Sequence, residues 1–337
     1  MAPSFDVGYS SLCRCAAVTT PFIDAAANTG NILRSRPITF VLGQAKTEFT
    51  IHADALTPIS KALRVLLDGD MKEAKEACVT WDDVDSETFI RFAQWAYTND
   101  YAPPDPDILL DSSNILIQPT PSNTSSSQPQ DNGSSIKDRA ESINFQDTTS
   151  QCHIGYGSNY RSATCHKCRE SYSQKACGYC GRALTVVCAK CGNGGKSTTM
   201  AKDFTTSAAW RIPDHVFKPR LNTEECEDYS KIFLSHVNLY ILADKYDIAE
   251  LGKLSMHKLY ATLVTFKLYP SRSTDILSLV ELVYENTRVD DGLRSMMVHY
   301  CACTVEHLAK CEQFQSTLQS YPEFSSALMA KTTERLY

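Results

Sequence analysis

The sequence predicts an α+β protein whose globular body is interrupted by a small cysteine-rich module and followed by a helical extension. Strand-like and helical patterns alternate before residue 102, helical apolar stripes return after residue 227, and three Cys-x-x-Cys pairs lie between them. Hydrophobic residues make up 43% and charged residues 21% of the 337 positions, which is ordinary for a protein that buries a core. This composition excludes wholesale disorder, and the length suffices for about two domains.

The net charge and the hydropathy pattern restrict the class of partner. The formal net charge is −6, so the whole molecule is not a general binder of nucleic acid or of membrane surfaces. No run of about 18 apolar residues is present, and the N-terminus lacks the basic and then apolar pattern of a secretory signal. We therefore expect no membrane partner and an intracellular location, in the cytoplasm, the nucleus or both. In such a reducing compartment, spaced cysteines are more often metal ligands than disulfides.

The region before residue 70 predicts a β-hairpin and a helix. Residues 38–42 and 47–51 are rich in β-forming side chains and flank a polar turn at Gly43, a pattern typical of a hairpin. Apolar residues at helical spacing predict a helix over about 57–68. Thr57 is its expected N-cap, because a proline follows at the first helical position.

A short strand and a second helix complete this half of the chain. Residues 78–81 are β-rich, and residues 86–97 carry aromatic side chains on one helical face. The stretch 71–77 between them and the first helix is expected to be a polar connection. Residues 103–150 are dominated by Ser, Thr, Asn, Gln and Pro. Such a segment buries too little apolar surface to offset its ordering entropy, so it predicts a disordered linker.

Four segments carry a resemblance to a known family. They are Ile38-Thr-Phe-Val-Leu-Gly43, Asp82-Asp-Val-Asp-Ser-Glu-Thr-Phe89, Trp95-Ala-Tyr-Thr98 and Tyr240-Ile-Leu-Ala-Asp-Lys-Tyr-Asp-Ile248. Together they resemble the BTB/POZ domain, particularly its fungal forms, over roughly a third of the chain. The resemblance implies one BTB/POZ fold that is split by a long insertion. The implied core consists of Phe40, Phe49, Ile51, Leu56, Leu63, Leu66, Phe89, Phe92, Leu242 and Ala243.

The resemblance and the composition together divide the chain into seven predicted segments. These are an N-terminal segment (1–36), the first part of the BTB/POZ fold (37–102), the disordered linker (103–150), a zinc-binding insert (151–196), a second linker (197–226), the C-terminal BTB/POZ helices (227–265) and a helical extension (266–337). Inserting a long segment into a domain is inexpensive, because the loop-closure free energy rises by only about 0.6 kcal/mol per doubling of length.

The family resemblance also implies a function. BTB/POZ domains are protein-interaction modules; some self-associate, and some hold a cullin scaffold while a second region holds a ubiquitylation substrate. In cullin-binding members a hydrophobic-x-Glu tripeptide after the second helix contributes to the contact, and Met71-Lys72-Glu73 matches that pattern. The plainer alternative is that Met71 packs at the helix end and Glu73 is solvated. Many family members have an Asp before the first strand where this chain has Arg36, so the resemblance leaves dimerisation open.

The cysteine-rich insert predicts a structural zinc site. Each Cys-x-x-Cys turn brings two sulfurs to one point, and two such turns complete a tetrahedral Zn²⁺ site. Sites made of four thiolates are coordinatively closed, so the expected role is structural and the protein is not expected to be an enzyme. The candidate ligands are Cys165, Cys168, Cys177, Cys180, Cys188 and Cys191, with Cys152 and His153 as additional candidates.

The number of zinc ions depends on which pairs combine, and the sequence leaves this open. Cys165/Cys168 with Cys188/Cys191 has a zinc-ribbon spacing of 19 residues. Cys177/Cys180 then need two more ligands, for which Cys152 and His153 are available, giving two ions. Pairing neighbouring turns instead gives one ion and leaves one pair free.

The charge of the insert supports a second functional hypothesis. Between residues 161 and 202 there are eight Lys and Arg residues and only Glu170 as an acid. These charges either offset the thiolates and keep the module soluble, which we favour, or contact phosphate. In the second case the protein is a nuclear nucleic-acid-binding or transcriptional regulator. The side chains to neutralise in a test of that hypothesis are Lys167, Arg169, Lys175 and Arg182.

Overall fold

The computed structural model describes residues 30–109, 158–164, 171–177 and 196–334. Helices dominate and the strands form small sheets, so the fold is mixed α and β, as predicted at this level. Most of the N-terminal segment and most of the predicted linker at 103–150 lie outside the described residues.

Between residues 37 and 98 the chain forms a three-stranded sheet and three α-helices. Strand β1 is central, with β2 antiparallel on one side and β3 parallel on the other. Pro37 pairs with His52 and Leu42 with Thr47, which confirms the predicted hairpin. Gly43 starts its turn with a left-handed φ of +57°, which favours glycine. The elements are β1 (Pro37–Leu42), β2 (Thr47–His52), α1 (Lys61–Asp68), α2 (Lys72–Glu76), β3 (Cys78–Trp81) and α3 (Ser86–Thr98).

Two local boundaries differ from the sequence-based expectation. Ser60, and not Thr57, is the N-cap of α1, because its Oγ accepts the backbone N–H of Leu63 at 3.2 Å. Thr57 instead donates its backbone N–H to Ala53 and belongs to the turn that precedes the helix. The polar connection at 71–77 contains helix α2, which the short and strongly polar sequence did not reveal.

Beyond residue 226 the chain is almost wholly helical. Strand β4 (Asp107–Ile108) pairs antiparallel with β7 (Glu227–Asp228), so two segments that are about 120 residues apart in the chain lie side by side. The backbone N–H of Leu109 donates to the carbonyl of Cys226 at 2.9 Å, just beyond this pairing. The helices that follow are α5 (Ser230–Lys245), α6 (Ala249–Thr265), α7 (Ser273–Asn286), α8 (Gly292–Leu308), α9 (Glu312–Ser320) and α10 (Pro322–Thr333); helix α4 (Lys196–Thr206) precedes β7.

One hydrophobic core joins the sheet to the middle of the chain. Phe40 on β1 and Leu242 on α5 are both buried in the same cluster, as the two-part assembly predicts. Trp81 of β3 stacks on Tyr246 with ring centroids 4.5 Å apart. Of the predicted core, Phe49 and Leu66 are only partly buried against this cluster. The other predicted members are buried within it: Phe40, Ile51, Leu56, Leu63, Phe89, Phe92, Leu242 and Ala243.

A second hydrophobic core lies in the C-terminal part of the chain, and two helices contribute side chains to both cores. The N-terminal part of α5 and the C-terminal part of α6 contribute to it, through residues such as Phe233 and Leu263, while the other ends of these helices belong to the first core. Helices α7 and α8 supply most of the remaining side chains. The two helices α5 and α6 therefore connect the sheet to the helical extension.

The region 197–226, predicted as a polar linker, packs in part against this second core. Met200 and Phe204 of helix α4 are buried there, four residues apart on one helical face. The segment from residue 200 to residue 217, here named the returning arm, runs from this helix along α6. Tyr260 of α6 donates its hydroxyl to the carbonyl of Phe204 at 2.7 Å. The returning arm is thus part of the folded body.

One buried carboxyl group in the helical extension predicts a pH dependence of stability. Asp275 is 2% exposed and accepts the backbone N–H of Tyr229 at 3.1 Å. Burial raises the pKa of Asp275 from 3.8 to about 6, and the neighbouring Asp228 acts in the same direction. The folded state therefore binds this proton more tightly than the unfolded chain, so stability falls as pH rises from about 4 to 6.

We expect Asp275→Asn to remove this part of the pH dependence. Asn keeps an oxygen that accepts the N–H of Tyr229 but carries no charge to bury. The variant should exceed the wild type in unfolding free energy by about 1–3 kcal/mol at pH 7.5 and match it near pH 4, as measured by urea denaturation. Asp290→Asn, at an exposed carboxylate, is the control and should leave the pH profile unchanged. A wild-type profile that is flat between pH 4 and 6.5 would contradict the assignment.

Candidate functional site

The tripeptide Met71-Lys72-Glu73 lies at a solvent-accessible corner between α1 and α2. Met71 is the residue that immediately precedes α2, in extended backbone, and it is 50% exposed. Glu73 lies in the first turn of α2 and is partly exposed. Val65 on α1 is also exposed, at 53%. Both side chains of the predicted partner-binding pattern are therefore accessible from solvent.

Arg36 fixes the relative position of α1 and α2 at this corner. Its guanidinium donates to the carbonyl of Ala74 at 2.9 Å and to the carbonyl of Leu67. It also lies 3.6 Å from the carboxylate of Asp68. Cationic side chains near the C-terminal ends of helices satisfy carbonyl groups that have no partner within the helix. Sequence reasoning noted Arg36 only as a departure from the family pattern and did not predict this role.

The predicted zinc ligands fall almost entirely outside the described residues. Cys152, His153, Cys165, Cys168, Cys180, Cys188 and Cys191 belong to the parts of the chain that the structure does not describe, and only the backbone of Cys177 is described. The same holds for Lys167, Arg169 and Arg182 of the basic segment, whereas Lys175 lies on a strand. Within the described residues, no group of three or more His, Cys, Asp or Glu side chains is placed to hold a metal.

The backbone between these cysteines is described in part and forms a β-hairpin. Strand β5 (Ser158–Thr164) pairs antiparallel with β6 (Ser171–Cys177), from Thr164 opposite Ser171 at one end to Ser158 opposite Cys177 at the other. Six residues, 165–170, connect the strands at the first end and include the first Cys-x-x-Cys pair. The second pair begins at the opposite end, with Cys177.

A buried ammonium group lies where the first half of the chain meets the returning arm. The side chain of Lys258 on α6 is 1% exposed, and its Nζ donates to the carboxylate of Asp100 and to the carbonyl of Tyr101. The ring centroids of Tyr101 and Phe217 lie 4.3 Å and 4.8 Å from Nζ, and these distances are typical of cation–π contacts. Burial lowers the pKa of Lys258, and Asp100 opposes that shift.

One buried histidine side chain contacts both aromatic partners of this ammonium group. His236 on α5 is fully buried, with its Nδ1 2.7 Å from the hydroxyl of Tyr101. Burial, assisted by the charges of Lys258 and Arg91, lowers the pKa of His236 to about 3, so the ring is neutral. Its ring packs near Phe217 of the returning arm, with centroids 6.2 Å apart.

A second histidine pair joins the returning arm to α6 directly. His257 is 7% exposed, and its Nδ1 accepts the backbone N–H of Ile212 at 3.1 Å. The ring of His215, on the returning arm, meets the ring of His257 edge to face at 5.2 Å. Both histidines line a cleft of about 870 Å³ between the returning arm and α6, together with Arg211 and Lys218. Sequence reasoning missed this cluster, because its members are far apart in the chain and no local histidine pattern marks it.

No family model, curated protein or solved structure matches the chain. Among the described helices, none is long and apolar enough to cross a membrane. The functional assignment therefore depends on the residues and geometry described above.

Proposed function

We propose that the protein is a non-enzymatic interaction module, an adaptor that binds a cullin-type scaffold through the surface formed by Met71 and Glu73. The observation that carries the proposal is the exposed Met71 next to Glu73 at a corner that Arg36 holds in place. A preorganised apolar anchor beside a carboxylate suits protein recognition, because little side-chain and backbone ordering is left to oppose binding. The core shared by Phe40 and Leu242 supports the two-part BTB/POZ assembly on which this reading rests.

Capture of a purified cullin by the full-length chain tests the proposal. We expect Met71→Ala combined with Glu73→Ala to weaken capture about tenfold or more, the effect of removing an interface hot spot. Met329→Ala with Glu312→Ala is the matched control, because these residues are likewise exposed but lie on α10 and α9. Undiminished capture by the Met71/Glu73 variant, or no capture by the wild type, would contradict the adaptor function.

We further propose that the insert is a structural module holding two zinc ions. Cys165 is bonded to Thr164 at one end of the hairpin, whereas Cys177 lies at the other. Seven-residue strands rising about 3.4 Å per residue separate these ends by about 20 Å. This length favours different ions for the first two Cys-x-x-Cys pairs. Cys188 and Cys191 are then the partners of the first pair, and Cys152 with His153 the partners of the second.

Native mass spectrometry and elemental analysis of the full chain measure the zinc content. We expect two zinc ions per chain, and one in the variants Cys177→Ser and Cys152→Ser, because both belong to the same proposed site. Cys226→Ser, at an exposed cysteine outside the insert, is the control and should retain two. A ratio of one in the wild type supports pairing of neighbouring turns instead, and a ratio near zero excludes the zinc module.

The charge of the insert favours one alternative, a nucleic-acid-binding regulator. Residues 161–202 contain eight Lys and Arg side chains and one acidic side chain, whereas the whole chain has a net charge of −6. If the segment contacts phosphate, affinity for DNA or RNA should fall steeply with salt. Neutralising Lys167, Arg169, Lys175 and Arg182 should then reduce the salt dependence, whereas an adaptor should show no such binding.

A further inference from the structure

Four of the chain's eight histidines gather around the returning arm. His215 belongs to the arm, and His236, His257 and His299 contact it from α5, α6 and α8. His299 places its Nε2 3.2 Å from the carbonyl of Met200 and packs edge to face on Phe204. Most histidines of the described chain are thus concentrated at a single intramolecular contact.

The hydrogen bond between the arm and His257 requires a neutral ring. The backbone N–H of Ile212 can only donate, so Nδ1 of His257 must be unprotonated to accept it. A proton on that nitrogen would set two N–H groups against each other. Nδ1 of His215, on the ring that meets His257, is also buried and has no hydrogen-bond partner among the described residues.

The charged groups around this contact are mostly cationic. Arg211 and His215 of the arm and Lys258 of α6 all oppose a positive charge on His257, and only a backbone hydrogen bond with Trp210 acts in the other direction. On α5, His236 faces Lys258 and Arg91. Asp100, from the first half of the chain, is already bound to Lys258. A positive charge on His257 would therefore join the cations Arg211 and Lys258, while Asp100 is engaged by Lys258 and Asp214 of the arm is exposed to solvent.

We propose that the returning arm is a pH-operated latch, which is closed while the ring of His257 is neutral and opens from residue 207 to residue 217 when that ring is protonated. Phe204 stays buried among Tyr260 and Tyr300 and anchors the other end of the arm. Opening uncovers Lys258 and changes the path by which the insert is joined to the body. The proposal is independent of the cullin-adaptor function.

The pH window follows from the sign of the pKa shift. Burial, followed by the charge of His215, lowers the pKa of His257 below 6.5 in the folded state. Attachment of the arm is therefore complete above about pH 6.5 and weakens as pH falls below it. One unit below the pKa of free histidine, a single group that must be neutral shifts the closed–open equilibrium about tenfold toward opening.

Hydrogen exchange of the full-length chain at pH 7.5 and 5.5 tests the latch. After correction for the intrinsic pH dependence of exchange, we expect the Ile212 amide to exchange about tenfold faster at pH 5.5, while amides of α7 and α8 stay protected. His257→Asn retains an acceptor but cannot be protonated, so it should abolish the acceleration. His52→Asn, at an exposed histidine on β2, is the matched control and should behave as wild type.

Equal exchange of Ile212 at both pH values in the wild type would overturn the proposal, as would an undiminished acceleration in His257→Asn. If His257→Asn loosens the arm already at pH 7.5, the test uses two measurements on the wild-type protein instead. The ring resonances of His257, followed by NMR, must then titrate with the same midpoint as the exchange of Ile212. Different midpoints would also overturn the latch.

Discussion

Replacing Trp81 with alanine should lower the unfolding free energy by about 3–5 kcal/mol, the range for losing a buried large aromatic side chain. Trp81 is 4% exposed and lies 4.9 Å from the ring of Phe40 and 6.0 Å from that of Phe92. It also stacks on Tyr246, a residue that follows the long insertion in the sequence. We therefore expect the substitution to destabilise both parts of the body in a single unfolding transition.

A double-mutant cycle with Tyr246→Ala isolates the contact across the insertion. We expect a coupling of about 0.5–1.5 kcal/mol between the two rings, measured by guanidinium denaturation. Trp81→Phe keeps an aromatic ring and should cost markedly less than Trp81→Ala, which makes it the control. Additive effects of Trp81→Ala and Tyr246→Ala would contradict a direct stack. Two separate unfolding transitions in the wild type, one for each half, would contradict the single body.

Phe204→Ala should detach the returning arm and destabilise the helical extension by about 3–5 kcal/mol. Phe204 is fully buried, and the ring centroids of Trp210, Tyr260, His299 and Tyr300 all lie within 5.7 Å of its own. Its loss leaves a cavity where helix α4 packs among these aromatic rings. We therefore expect a red shift of the Trp210 emission together with the loss of stability.

The neighbouring exposed residue provides the control for this experiment. Lys202→Ala removes a side chain from the solvent face of the same helix and should leave both stability and Trp210 emission unchanged. The emission is best read in a background in which Trp81 and Trp95 are phenylalanine. Unchanged emission in Phe204→Ala would mean that the arm is held by other contacts, contrary to the packing described.

The first half of the body was predictable because its information is local. Alternation around Phe40 and Ile51, with a glycine turn between the strands, specified the hairpin and its buried face. The core membership of Leu242 came from the family resemblance, since nothing within the sequence relates it to a strand two hundred residues earlier. Cap positions were less predictable: residues 53–59 form turns, so helix α1 begins only at Lys61 and Ser60 caps it in place of Thr57.

The returning arm and the buried ammonium group escaped the sequence analysis for a physical reason. Helix α4 is polar apart from Met200, Ala201 and Phe204, so its apolar stripe is too short to stand out from a linker. Lys258 occupies a core-facing position of α6, where a charge is unexpected unless a partner is known. That partner, Asp100, is 158 residues away in the chain and belongs to the other half.

The pairing of β4 with β7 means that everything between residues 109 and 226 is, in topological terms, the loop of a very small β-hairpin. Such a loop can be exchanged for another of different length without rethreading the body, since closure entropy depends only weakly on loop length. The body thus offers an insertion site at which different modules can replace one another, during evolution or by protein engineering. Any replacement has to keep the returning arm, because Phe204 and Phe217 of the arm are packed against the body.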